Sequence, residues 1–135
     1  MRRMRSAVLQ LLVGLVLSSP GQTAAGPPDR PLGKMVLDKV ADGLRRYRMA
    51  RTPESRIAWL RKLAPIRDAR VAVALGESIS SDDIDVSRWA IGLVFTHYEA
   101  ELPEVSGTSP ISGMVFGWWK ENEADLRRRA KQLPQ

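Results

Sequence analysis

The residues that could do chemistry are few. His97 is the only histidine, and it stands beside Phe95 and Tyr98. No Ser, Cys or Asp lies at a spacing that suggests a catalytic triad with it. It therefore reads as a core or boundary residue and not as a general base. Asp82, Asp83 and Asp85 resemble the start of a calcium loop. Such a loop needs oxygen ligands running to a Glu at its twelfth position, with a Gly at the sixth. Counted from Asp83, those positions hold Arg88 and Val94 in the order sixth and twelfth. The carboxylates are better explained as helix caps.

The chain has no Cys, which excludes a disulfide, a thiolate nucleophile and a Cys-ligated zinc or iron–sulfur centre. It has no dinucleotide fingerprint, no phosphate-binding Gly-Lys-Ser/Thr loop and no HExxH zinc motif. "GMVFG", Gly113 to Gly117, has the small-residue spacing of paired membrane helices, but Lys120 and Glu121 follow too soon for a span. No catalytic, cofactor-binding or metal-binding residue is assigned, and no cofactor is expected.

Side chains suited to binding a partner are easier to find. They are Trp89, Trp118, Trp119, Arg45, Arg46 and Arg48. Trp118 and Trp119 are adjacent, so on a helix they lie about 100° apart and rarely enter one core together. The expectation is that one anchors the core and the other covers the edge of a neighbouring helix. An exposed one would serve as a binding anchor. Arg45, Arg46, Arg48 and Arg51 crowd the end of a helix, where cations complement the dipole. "RRRAK", Arg127 to Lys131, reads as a solvated helix end. Glu123 with Arg127 and Asp125 with Arg129 stand four apart, acid first, which is the favourable order.

These residues must be positioned by a chain of 135 residues, 44% hydrophobic and 27% charged, an ordinary composition with room for one domain. "MRRMRS", the apolar run Ala7 to Leu17 and "SSPGQTAAG" form the three-part layout of a secretory signal peptide over residues 1–25. Cleavage is expected after Ala25, with Ala24 a close competitor, placing the protein in the periplasm or outside the cell. Loss of Arg2, Arg3 and Arg5 lowers the formal net charge from +6 to +3. That small excess, on an exported protein, argues against a nucleic-acid partner. Residues 26–33 hold three prolines and no apolar periodicity, and read as a linker.

Residues 34–135 read as an all-α domain. Leu37, Val40, Ala41, Leu44 and Tyr47 mark one helix face over about 34–48. "TPES" starts a second helix, with Thr52 as its cap and Pro53 in the first turn. Ile57, Leu60, Leu63 and Ala64 form its apolar face, and Pro65 ends it. Asp68 caps a third, striped by Val71, Ala72, Leu75 and Ile79. Gly76 lies inside it, marking a close-packing point or an early stop. "SISSDD", Ser78 to Asp83, is expected as a turn. "WAIGLVF", Trp89 to Phe95, is apolar throughout, but the preceding Asp83 and Asp85 and the spacing of Val86, Trp89, Ala90 and Leu93 favour a helix over about 86–98. After a loop over 101–110, a last helix runs from near Pro110 to about Gln132. Ile111, Val115, Trp119, Leu126, Ala130 and Leu133 share its apolar face.

The stretch "WLRKLAPIRDARVAVALGESI" resembles a HEAT repeat, the helical hairpin of α-solenoids. Leu60, Leu63, Asp68, Arg70, Val71, Ala72, Ala74, Leu75 and Gly76 carry the resemblance, and "DDIDVSRWAIGLV" looks like a degenerate second copy. The resemblance implies a short stack of helical hairpins, or an irregular bundle, and a scaffold or protein-binding duty. It implies that the aspartate sits in the turn between helices and that the basic residue two positions on can bond back toward neighbouring turn aspartates. It carries no catalytic residues. The function expected is therefore a non-enzymatic module that binds another protein. The alternative is a basic accessory protein in weak contact with an anionic membrane or envelope surface.

Overall fold

The computed structural model describes residues 33–103 and 110–135. The expected signal peptide and all of the linker except Gly33 lie outside these. The described residues form five α-helices and no strand: α1 (Lys34–Met49), α2 (Pro53–Leu63), α3 (Ala69–Ile79), α4 (Ile84–Tyr98) and α5 (Ile111–Ala130). A short 3-10 turn, Glu99–Glu101, follows α4. None of these helices is long and apolar enough to cross a membrane.

Local chemistry sets where these helices begin. The Thr52 side chain accepts from Ser55 N at 3.1 Å, and Pro53 occupies the first turn of α2. Asp68 Oδ1 accepts from Arg70 N at 2.7 Å at the head of α3. Asp83 Oδ1 accepts from the backbone of Asp85 and Val86, both at 3.0 Å, and so caps α4. Each such cap is worth about 1 kcal/mol against Ala. Asp85, expected as a second cap, instead lies within the first turn, where its charge suits the helix dipole. The turn after α3 is shorter than expected. Ser78 and Ile79 remain helical and buried, because Ile79 packs into the core.

Short connections fold the chain into hairpins. The turn Ala50–Thr52 joins α1 to α2, and Gly43 lies against Leu63, at the end of α2 farthest from that turn. The two helices therefore run antiparallel. α3 and α4 form the second hairpin, tied at its turn by Ser87 Oγ donating to Ile79 O at 2.6 Å. α2 lies beside α4, and α5 packs on α3 and, less extensively, on α4. The two similar stretches in the sequence are thus the successive helices α3 and α4.

All five helices supply the core. Val40 and Leu44, Leu60 and Leu63, Val71 and Leu75, Ala90 and Val94, Val115 and Trp118 are all buried in one cluster. Burying each aliphatic side chain contributes roughly 1.5–3 kcal/mol. Small residues on α3, Ala72 and Ala74, let neighbouring helices approach. Ile111, expected on the buried face of α5, is 48% exposed, since it occupies the first residue of the helix.

Candidate interaction surface

Aromatic and cationic side chains meet where α1, α2 and α4 lie side by side. Trp89 on α4 is 43% exposed. The guanidinium of Arg61, from α2, stands 4.6 Å from the centre of its ring. Trp59, half-buried on α2, has Lys62 at 4.7 Å and Arg46 of α1 at 5.8 Å. Such contacts hold a cation against the ring quadrupole, at about 0.5–1 kcal/mol where exposed. They also narrow the positions a long side chain can take.

The charge around them is one-sided. Residues 34–63 hold nine Lys and Arg against three Asp and Glu, a net +6, whereas residues 64–135 hold eight against eleven, a net −3. Within the hairpin, Lys34 pairs with Asp38 at 2.8 Å, and Asp42 takes both Arg46 at 2.9 Å and Arg45 at 3.4 Å. The Asp38 hydrogen bond pushes the Lys34 pKa upward. Lys39, Arg48, Arg51, Arg56, Arg61 and Lys62 make no ion pair among the described residues. The cationic excess of α1 and α2 is therefore left open to solvent.

The residues expected to bind a partner divide accordingly. Trp89 is on the surface. Arg45, Arg46 and Arg48 are exposed on α1, with the first two shared by Asp42. Trp118 and Trp119 are corrected from that set: they are 1% and 9% exposed and belong to the core. Trp118 packs 5.1 Å from the Tyr98 ring, while Trp119 lies over Gly76 of α3. Trp119 thus covers a neighbouring helix, one of the two roles expected of this pair. Trp59, Arg61 and Lys62 were not singled out in the sequence. Trp59 and Lys62 stand three apart on one helix face, which is a readable signal, but Arg46–Trp59 and Arg61–Trp89 are contacts between helices.

Other polar clusters are occupied in holding the fold. Arg70 and Asp68 form a buried ion pair, with Nη2 to Oδ2 at 2.7 Å and Nε to Oδ1 at 3.0 Å. Arg70 also donates to Leu37 O of α1 at 3.3 Å and to Pro134 O near the chain's end. This one guanidinium ties the head of α3 to two other segments. A cavity of about 100 Å³ lies between α1, α3 and the end of α5, lined by Leu44, Tyr47, Arg48, Glu77 and Gln135 among others. Of its polar walls, Tyr47, Arg70 and Glu77 are already engaged. Ser78 Oγ donates to Ala74 O at 2.7 Å and so accepts from the Tyr47 hydroxyl at 2.5 Å. Glu77 takes Arg127 at 3.0 Å.

At the far end, Arg127 also pairs with Glu123, and Asp125 takes Arg128 and Arg129. Those bonds raise the Arg127 pKa, Glu123 contributing most, and the Arg128 hydrogen bond lowers that of Asp125. His97 is half-buried, and its carbonyl accepts from Arg67 at 3.4 Å. Tyr98 is 4% exposed, and its hydroxyl has no hydrogen-bond partner among the described residues. Burial pushes its pKa up to about 12, against the opposing pull of Arg67, whose guanidinium lies 4.4 Å from the ring.

No protein-family model, curated protein or solved structure matches the chain.

Proposed function

We propose that the protein is an exported, non-enzymatic interaction module, a short stack of HEAT-like hairpins that docks another protein through the outer side of α1, α2 and α4. The observation that carries this is the exposed Trp89 beneath Arg61. Large aromatics exposed beside arginine are the residues that dominate binding energy at protein interfaces. The HEAT-like reading is supported by the stacking of helical hairpins, α1–α2 beside α3–α4 through α2 and α4. The stretch that carries the resemblance spans α2 and α3, which touch only slightly, and Arg70 bonds to the aspartate of its own turn rather than to a neighbouring one.

Of the cations of α3 and α5, Arg70, Arg127, Arg128 and Arg129 are paired, whereas the α1–α2–α4 side combines six cations that make no ion pair among the described residues with the exposed Trp89. Export follows from the leader-like residues 1–25. The test is affinity capture from an envelope extract, comparing the wild type with Trp89→Ala. A protein retained by the wild type at ~0.5 M salt, where screening acts over about 4 Å, and lost by the variant supports the reading. No reproducible species, or one indifferent to Trp89, counts against it.

A further inference from the structure

The geometry points to an acidic polypeptide segment as the occupant of the α1–α2–α4 surface, its carboxylates received by Arg56, Arg61 and Lys62. This rests on the interaction reading above and names the chemistry of the partner.

Three observations select that occupant. First, six cations of the α1–α2 hairpin have no carboxylate among the described residues, in a segment of net charge +6. A partner of opposite sign removes that self-repulsion and gains steered association. Second, a second copy of the chain is a poor match. Residues 64–135 carry only −3, so they cannot neutralise the hairpin, and two copies would bring two +6 segments together.

Third, the cations are held in place. Arg61 lies over Trp89, and Lys62 and Arg46 lie over Trp59. Arg56 is anchored by donating to Ala50 O at 3.2 Å. A guanidinium fixed against a ring presents its donor fork in one direction, which suits bidentate carboxylates. A lipid headgroup layer is diffuse and gains nothing from that fixation. Trp89 and Trp59 each hold a cation against the ring, which leaves less bare apolar face to enter an acyl boundary.

The probe is a fluorescein-labelled peptide of about ten glutamates, titrated with the mature chain from Gly26 onward at ~50 mM salt and followed by anisotropy. Replacing Arg56, Arg61 and Lys62 together by Gln is expected to weaken binding at least ~10-fold, as lost steering and lost paired carboxylates act together. Replacing Lys120, Arg128 and Lys131 by Gln removes the same charge elsewhere and is expected to change it less than ~2-fold. Trp89→Leu, which keeps every charge, is expected to weaken binding by about 3-fold through loss of the Arg61 platform.

Equal weakening by the two triple variants would reduce the effect to net charge and overturn the proposal. So would no effect of Trp89→Leu. Stronger binding to vesicles of equal phosphatidylglycerol and phosphatidylcholine than to the peptide would reassign the surface to lipid and overturn it too. If the peptide arm fails but capture still yields a protein lost by Trp89→Ala, the interaction reading stands and the acidic-segment inference falls.

Discussion

Replacing Gly76 by Ala should destabilise the protein, although helix propensity alone argues the opposite. Gly76 sits inside α3, where Ala is favoured by about 1 kcal/mol. A Cβ at this position would lie 2.1 Å from Trp119 Cε3 and 2.3 Å from Cδ2. Ordinary carbon contacts are about 3.5–4.0 Å, so the indole must retreat by well over 1 Å. Trp119 has little room to do so. Its ring is 6.1 Å from Trp118, and Arg127 lies 5.4 Å over it. Overpacking of this kind costs typically 1–3 kcal/mol, and turning the indole out would forfeit part of the roughly 4–6 kcal/mol of its burial.

Taking about 3 kcal/mol for the clash and about 1 kcal/mol for the propensity gain leaves a net loss of about 2 kcal/mol. For a domain near this size that lowers the Tm by roughly 8–16 °C. The assay is thermal unfolding followed by far-UV circular dichroism. Gly92→Ala is the control. Gly92 lies mid-helix in α4 with nothing within 4 Å of its would-be Cβ, so the same change there should stabilise by about 0.5–1 kcal/mol. In a Trp119→Ala background the Gly76→Ala penalty should vanish. A Gly76→Ala protein melting at or above the wild type would refute the argument.

Two further outcomes follow from the buried polar groups. Tyr98→Phe removes a buried hydroxyl with no partner among the described residues and should stabilise the fold by about 1 kcal/mol at neutral pH. With the Tyr98 pKa at about 12 in the fold and 10.0 as its ordinary value, the unfolded chain releases the proton first as pH rises. Stability should therefore fall between pH 10 and 12 by on the order of 2–3 kcal/mol, and Tyr98→Phe should lack that alkaline limb in urea titrations. Equal pH slopes would contradict the burial of this hydroxyl. Asp68→Ala strands the Arg70 guanidinium, whose side chain is 3% exposed, and should cost about 3–5 kcal/mol in urea unfolding. Adding Arg70→Met should recover part of that loss, and a double variant no better than Asp68→Ala would show that the ion pair is not the cause.

The helices are legible in the sequence because their signals are local. Thr52, Asp68 and Asp83 bond to backbone within three residues, and apolar spacing marks a face without knowledge of what covers it. Even "WAIGLVF" resolved as helix from its preceding carboxylates and its spacing, with α4 burying Ala90, Leu93 and Val94. Which faces meet is a different matter, since it depends on residues far apart in the chain. Gly76 could have been a stop or a contact until Trp119 was placed on it. Trp118 and Trp119 could both be buried because α5 lies against two helices at once. Their roughly 100° separation sends Trp118 to Tyr98 of α4 and Trp119 to Gly76 of α3. The pairing of Arg61 with Trp89 and of Arg46 with Trp59 likewise needs α2 seated between α1 and α4. Spacing along one helix says which side a residue is on, and only packing says what stands opposite.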